Sequence, residues 1–388
     1  MRTSLQEHRS PSHRGPAPWL RCLIVTAGCL LLAAPAAATE LLLVSDVPAM
    51  DGKQVQRPMW APGAKPRLVH EMTDRDRSTL LRVVDVAGGS FTDQIIPGAR
   101  SSRLEAMGAG AERADHGAAW WDETSFFFVR AVGGDQKLFY FDGVPREVPG
   151  LPGRVVEVAT DPGRGVLFAS IEDEAGFDLH RLSGQGFTET RRRLTRTSTE
   201  VESAMNVDAA GAVHFVRIAA KSTKLGQAAT DALEASSHAA NTALRDYEIL
   251  RITPLADGTT LLYVRAPAGA PEADSTYLLL EVTGAAVKVL ANGVYLPPGM
   301  PPAPAVSAAG RYVYFINNDA KSGNPVVRYD RTSGTALDLK LSTRGHQEVA
   351  VGEYPVEGGM QAWIAVVSVG DDRGQDVRNH LYVGTLAD

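Results

Sequence analysis

Residues 158–169 read Val158-Ala159-Thr160-Asp161-Pro162-Gly163 and then, after two residues, Val166-Leu167-Phe168-Ala169. A short apolar run meets a polar corner, and a second, more apolar run leaves it. Proline presets the first half of such a corner, and glycine accepts the left-handed backbone that often ends it. Two β-rich runs flanking a turn of this kind predict an antiparallel hairpin. A third run follows at Phe177-Asp178-Leu179-His180-Arg181-Leu182 and a fourth at Thr188 to Thr195. Together they predict a four-stranded meander.

The unit recurs. Met59-Trp60-Ala61-Pro62-Gly63 leads into Arg67-Leu68-Val69-His70, and Ala118-Ala119-Trp120-Trp121-Asp122 into Phe126-Phe127-Phe128-Val129. Later copies turn at Asp208 to Gly211, Ala256-Asp257-Gly258, Ser307 to Gly310, and between Tyr354 and Ala362. Their centres lie roughly 40–60 residues apart, mostly near 48, the period of propeller blades. A single four-stranded sheet cannot bury both faces, whereas sheets stacked in a circle bury each face against a neighbour. The expected fold class is therefore all-β: a β-propeller of seven four-stranded blades spanning 39–388. The last copy lacks an outer strand, and Glu40-Leu41-Leu42-Leu43-Val44 is the apolar segment that can supply it. The N-terminal strand is expected to pair into the last blade and close the ring. One stretch breaks the rhythm. Lys221 to Arg245 is rich in alanine, with Leu225, Ala229, Leu233 and Ala239-Ala240 near helical spacing. It predicts a helical insertion near 221–245, which leaves six blades as the alternative. Leu296 to Pro302 predicts a stiff extended loop, and Gly98 to Ala114 a long one without chemistry.

Asp161-Pro162-Gly163 and Ala256-Asp257-Gly258 resemble the Pro-Asp-Gly turn of TolB-like and WD40-like repeats. Phe177-Asp178-Leu179-His180 and Arg193-Leu194-Thr195 resemble the third strand and closing Leu-Thr of the same repeat. The pattern covers nearly all of the chain after residue 38. The resemblance implies a bacterial propeller with a protein or peptide partner docked on a rigid ring.

The first 38 residues read as a signal peptide. Arg2, Arg9, Arg14 and Arg21 precede the apolar run Leu23 to Ala34, and Ala36-Ala37-Ala38 is a small-residue cleavage site. The apolar run is shorter than the ~20 residues of a transmembrane helix. No transmembrane segment is expected, and the localisation is periplasmic or secreted after cleavage near Ala38. Cys22 and Cys29, the two cysteines of the chain, both fall inside this leader. No disulfide or thiol nucleophile is then available to the exported protein. Thr26-Ala27-Gly28-Cys29 has the outline of a lipobox, but its apolar residues follow Cys29 rather than precede it. The net charge of −6 becomes more negative once the leader's arginines are removed. An acidic surface repels phosphate backbones, so no nucleic acid partner is expected. The one basic run, Arg191-Arg192-Arg193, reads as a solvated strand edge.

Nucleophilic hydrolysis is often marked by Gly-x-Ser-x-Gly, and that motif is absent. Seven units occupy the chain, leaving no room for a separate hydrolase domain. His70, His116, His180, His214, His238, His346 and His380 show no zinc spacing, so no metal and no cofactor are expected. The acidic turns at Glu172-Asp173-Glu174 and Asp371 to Asp376 do not fit an EF-hand loop. Trp60, Trp120 and Trp121 read as blade-packing residues rather than a sugar platform. Loops entering the innermost strands converge on one mouth of a propeller's channel. Arg57, Asp115, His116, Glu200, Glu202, His346 and Glu348 precede those strands and are the candidate ligand-binding residues. Asp115-His116 is the most chemically capable pair, since an adjacent acid can orient an imidazole.

The expected function is an exported, monomeric propeller that binds an envelope protein, a peptide or another ligand as a non-catalytic scaffold. The alternative is a hydrolase or lyase acting on a sugar or small ester at the channel mouth. It requires Asp115, His116 and Glu348 to converge. A third reading is a structural module of an envelope complex.

Overall fold

A computed structural model describes residues 39–44, 54–73, 79–87, 90–96, 115–132, 134–174, 176–220, 222–267, 277–297, 301–369 and 379–386. The expected leader at 1–38, the loop at 98–114 and the acidic turn at 371–376 lie outside these residues. The described strands form seven four-stranded antiparallel sheets. Blade 1 is β2 (Gln54–Trp60), β3 (Arg67–Thr73), β4 (Thr79–Ala87) and β5 (Ser90–Ile95). Blade 2 is β6 (Asp115–Trp120), β7 (Phe126–Val132), β8 (Asp135–Phe141) and β9 (Pro145–Glu147). Blade 3 is β10 (Arg154–Asp161), β11 (Val166–Asp173), β12 (Gly176–Ser183) and β13 (Thr190–Arg193). Blade 4 is β14 (Val201–Val207), β15 (Val213–Ala219), β16 (Ser222–Ala228) and β17 (Ser236–Ser237). Blade 5 is β18 (Glu248–Pro254), β19 (Thr259–Arg265), β20 (Tyr277–Thr283) and β21 (Ala286–Asn292). Blade 6 is β22 (Ala305–Val306), β23 (Tyr312–Ile316), β24 (Val326–Asp330) and β25 (Thr335–Asp338). Blade 7 is β26 (His346–Val356), β27 (Gly359–Val369), β28 (Asn379–Thr385) and, from the other end of the chain, β1 (Leu42–Leu43).

Seven apolar clusters show that the ring is closed. Successive residues of a strand face opposite sides of its sheet. In β7, Phe126 and Phe128 therefore pack toward Val69, Leu81 and Val83 of blade 1. Phe127 and Val129 pack toward Leu167, Ala169 and Ile171 of blade 3. Phe168 in turn meets Phe215 of blade 4. Leu225 of blade 4 meets Ile249 and Leu262 of blade 5, and Leu261 of blade 5 meets Phe315 of blade 6. Tyr314 of blade 6 reaches Ile364 and Val366 of blade 7. The last cluster joins Ala365, Val367 and Val383 of blade 7 to Trp60, Leu68 and Val84 of blade 1. An open stack of seven sheets has six interfaces, so a seventh between blades 7 and 1 closes the circle. A further small cluster, Met72 with Leu80, lies within blade 1.

The expected closing strand is present. Leu42 pairs with Val383 and Leu43 with Tyr382, antiparallel. The Val44 N–H donates to the Leu381 carbonyl at 2.9 Å and the Thr39 N–H to the Lys340 carbonyl at 2.6 Å. Leu41 is buried between blades 6 and 7. Gly384 makes the approach possible, because a Cβ there would sit 2.7 Å from the Glu40 carbonyl oxygen and 2.7 Å from a Leu41 methyl.

The expected helical insertion near 221–245 is not there. Thr223 to Ala228 pair along β15, and only a 3-10 turn, Ala239–Thr242, follows β17. A helix in this place would strand the outer edge of β15, so ladder pairing overrides the alanine-rich propensity. Asn241 stands in for a longer outer strand. Its Oδ1 accepts the Leu225 N–H at 2.8 Å and its Nδ2 donates to the Leu225 carbonyl at 2.9 Å. Blade 4 is thereby complete, and the six-blade alternative falls with the helix.

Candidate functional site: the central cavity

Residues from the innermost strands of all seven blades surround one cavity of about 640 Å³. That volume lies within the roughly 300–1,000 Å³ usual for small-molecule sites. Much of the wall is apolar, including Met59, Val156, Ala204, Val306 and Val351. The polar groups in it include Arg57, His70, Glu71, His116, Gln136, Arg154, Glu157 and Arg251.

The bulges of the innermost strands shape this wall. In β2, Arg57 and Pro58 lie opposite the single residue His70. Gly117 and Ala118 stand likewise opposite Phe128, and Ala204 and Met205 opposite Phe215. The first residue of each pair is left-handed, with φ of 52° at Arg57, 64° at Gly117 and 53° at Ala204. Such a bulge turns a backbone N–H out of its ladder. A carboxylate from the preceding blade accepts it each time. Glu348 of blade 7 takes the Arg57 N–H, Glu71 of blade 1 takes the Gly117 N–H at 3.0 Å, and Glu157 of blade 3 takes the Ala204 N–H at 2.7 Å. Three other inner strands carry a single extra residue, and the residue after it reaches the next blade. Glu157 and Glu348 hold two of these places, and Arg251 the third, its Nε donating to the Pro301 carbonyl at 2.7 Å. Pro301 belongs to the expected extended loop, whose end forms part of the cavity wall.

The seven candidates of the sequence reading separate. Arg57 and His116 line the cavity. Asp115 does not; it is fully buried, and both its oxygens take the Arg130 guanidinium, at 2.7 and 2.8 Å. Burial pushes its carboxyl upward against the pull of Arg130. Asp115 and His116 are neighbours on a strand and point to different surroundings. Glu200 and Glu202 share Arg217, at 3.2 and 3.4 Å, away from the cavity wall. His346 is held between the Asn324 carbonyl at 2.9 Å and the Thr343 hydroxyl at 3.1 Å, and burial lowers its pKa. Glu348 is buried beneath the Arg57 backbone. Asp115, His116 and Glu348 do not converge.

The other singled-out side chains are held by packing or hydrogen bonds, and of them Trp60 and Trp120 also line the cavity. Trp60 packs edge-on to Tyr354, Trp120 to Phe126, and Trp121 to Phe127 and Phe187. The Trp60 and Trp120 indole N–H groups donate to Ala350 and Met59 carbonyls of the preceding blade, at 3.2 and 3.1 Å. His214 faces Asp208 at 3.0 Å, and the His238 ring caps the 3-10 turn by accepting the Ala240 N–H. The arginine run lies on β13, the outermost strand of blade 3. Among the described residues there is no cluster of three or more His, Cys, Asp or Glu able to hold a metal.

His70, Glu71, Arg154, Glu157 and Arg251 were not among the candidates. Glu71 and His70 lie on a second strand, and their access to the cavity depends on the Arg57–Pro58 bulge. Arg154, Glu157 and Arg251 obey the rule that found Asp115 and His116. The apolar pattern hides them, because β10 and β18 start earlier than their most apolar residues.

Burial raises Glu348 from 4.5 to about 7. Between those values the unfolded chain loses this proton and the folded chain keeps it, so the Glu348 contribution to stability falls as pH rises. The loss is on the order of 3 kcal/mol. Glu202, also lifted to about 7 by burial, acts in the same direction. His70 and His180 act oppositely: burial holds both near 4, and they weaken the fold as pH drops below 6.5. Glu348→Gln keeps an acceptor for the Arg57 N–H and has no proton to lose. Urea midpoints measured from pH 4.5 to 7.5 should show the variant gaining on the wild type as pH rises. A constant difference between the two would remove Glu348 as the source.

Solved structures share this architecture. The oligogalacturonate lyase in complex with manganese has a TM-score of 0.57 at 11% identity, over 91% of this chain and 97% of the other. The fold is a seven-bladed propeller. A puromycin hydrolase matches with a TM-score of 0.55 at 14% identity, over 81% of this chain and 50% of the other. A Mycobacterium tuberculosis puromycin-hydrolyzing peptidase matches with 0.53 at 12% identity, over 83% and 53%. This chain thus spans about half the length of those two proteins. No family model and no curated protein matches the chain.

Proposed function

We propose that this chain is an exported binding propeller of the TolB-like kind, which receives a peptide segment or small ligand in its central cavity without turning it over. The observation that carries the reading is the cavity itself, walled by all seven innermost strands and furnished with a few polar groups on a mostly apolar surface. Two further features support it. Hydrogen bonds between neighbouring blades tie down the backbone of the wall at Arg57, Gly117 and Ala204, and a backbone held in place loses little entropy on binding. The two acids of the cavity wall are already committed to structural bonds, Glu71 to the Arg57 side chain and the Gly117 N–H, and Glu157 to the Ser203 hydroxyl and the Ala204 N–H. Export rests on the leader at 1–38 and its Ala36-Ala37-Ala38 site. No helix among the described residues is long and apolar enough to cross a membrane.

Ala303 is exposed, lines the cavity and precedes β22, so Ala303→Trp fills the space with little strain on the blades. A thermal-shift panel of peptides and small metabolites should yield compounds that stabilise the wild type and leave Ala303→Trp unmoved. Chromatography of the same mixtures should return each compound unchanged. Stabilisation that persists in the filled variant would place binding elsewhere, and consumption of a compound would make the protein an enzyme.

A further inference from the structure

Three observations meet at Arg57. Its backbone is left-handed, a strained conformation for a non-glycine residue that the bulge holds in place. Its side chain lines the cavity. Its guanidinium spends Nη1 on Glu71 at 2.9 Å, while Nε and Nη2 are buried with no hydrogen-bond partner. Elsewhere in the molecule that same pair of atoms grips a carboxylate. Arg130 takes Asp115 through Nε and Nη2, and Arg311 takes Asp330 in the same manner.

Charges of both signs surround it, and the negative ones are engaged. Arg57, Arg154 and Arg251 line the cavity against Glu71 and Glu157. Both glutamates are already engaged: Glu71 by Arg57 and the Gly117 N–H, Glu157 by the Ser203 hydroxyl and the Ala204 N–H. Arg154 also meets Glu172 at 3.5 Å, which leaves Arg57 and Arg251 as the cations of the wall beside these engaged glutamates. Beside Arg57, burial keeps His70 neutral at neutral pH. Its Nδ1 lies 3.4 Å from the Glu71 carbonyl and its Nε2 has no partner. With the proton on Nδ1, Nε2 is an acceptor.

Resting on the binding role proposed above, we infer that the cavity takes a ligand bearing a carboxylate, held by the Nε–Nη2 edge of Arg57. The acid carries a hydroxyl or N–H group nearby, which His70 Nε2 accepts. The edge is buried within the wall, so binding requires the arginine side chain to turn this edge toward the lumen. A buried two-point contact to a carboxylate discriminates strongly, because its neutral counterpart leaves the guanidinium unpaired.

The test is titration calorimetry with matched pairs of probes. One arm compares a tetrapeptide pool bearing free C-terminal carboxylates with the same pool amidated. The other compares D-glucuronate with D-glucose. In one arm the acid should bind at least about tenfold more tightly than its neutral partner, and that arm identifies the source of the carboxylate. Arg57→Gln should abolish the preference, while Arg192→Gln, the same charge change on the outer strand β13, should leave it intact. Should Arg57→Gln fail to fold, the acid-to-neutral ratio of the wild type decides alone. Equal binding of acid and neutral probes, or a preference surviving Arg57→Gln, overturns the carboxylate inference and leaves the cavity as a binding site. Silence from both arms overturns the carboxylate, and the binding role falls with it only if the thermal-shift panel is silent too.

Discussion

Asp115→Ala is expected to cost about 3–5 kcal/mol, the usual penalty for orphaning one partner of a buried ion pair. Arg130 is 5% exposed, and its guanidinium lies 5.1 Å from the ring centres of both Phe128 and Phe139. The rings offer weak attraction to a cation but cannot replace a carboxylate that meets it at 2.7 and 2.8 Å. Removing Asp115 leaves a guanidinium with neither water nor counter-ion. The double variant Asp115→Ala/Arg130→Met should recover most of the loss, because it removes the orphaned charge and keeps an apolar stem between the rings. Chemical denaturation of the single and double variants measures both effects. A single-variant loss under about 1 kcal/mol would mean that water reaches Arg130. Asp115 stands behind the cavity wall, so ligand binding by folded Asp115→Ala should survive.

The second large effect concerns the clasp. Gly384→Val places a side chain where the Glu40 carbonyl and Leu41 now lie, so residues 39–44 must leave β28. The ring then loses the burial of Leu41 and Val44, worth about 3–6 kcal/mol together. Main-chain bonds from Thr39 and Val44 go with them. The freed edge of β28 becomes a template for pairing with another chain. The expected results are a lowered unfolding midpoint, rapid cleavage of residues 39–44 by added protease, and concentration-dependent association. Gly359→Ala is the control, since a Cβ there meets nothing within 4 Å. Wild-type stability together with full protease resistance in Gly384→Val would show that the strand does not hold the ring.

The blades could be read from sequence because their evidence is local. In Val158 to Ala169 the apolar runs, the turn residues and the alternation all fall within a dozen positions. The clasp could be read as well, because Glu40 to Val44 is a strand lacking a partner and the last blade is a sheet lacking a strand. The segment 221–245 misled for a physical reason. Alanine spacing reports what a chain prefers in isolation, whereas the unpaired edge of β15 decides what it does beside a sheet. The cavity was half visible. Arg57 and His116 follow from their place before inner strands, but Glu71 becomes part of the wall only through a two-residue bulge. A bulge is a slip in pairing between strands, and one strand's pattern does not record it. Asp115 illustrates the converse. Its neighbour His116 turns to the lumen, so the alternation that locates one residue hides the other within the blade.

Pairing Leu42 with Val383 has a consequence for how the protein comes to be. Six blades can assemble as their segments are synthesised, each on the one before. The seventh needs both ends of the polypeptide. Until the final strand is made, Leu68 and Val84 on one flank and Tyr314 and Ile316 on the other face water. The waiting intermediate is sticky on two sides, and closure must bring together residues separated by almost the whole length of the chain. The slowest step of maturation should therefore be the closing of blade 7, and it cannot begin before β28 has been made.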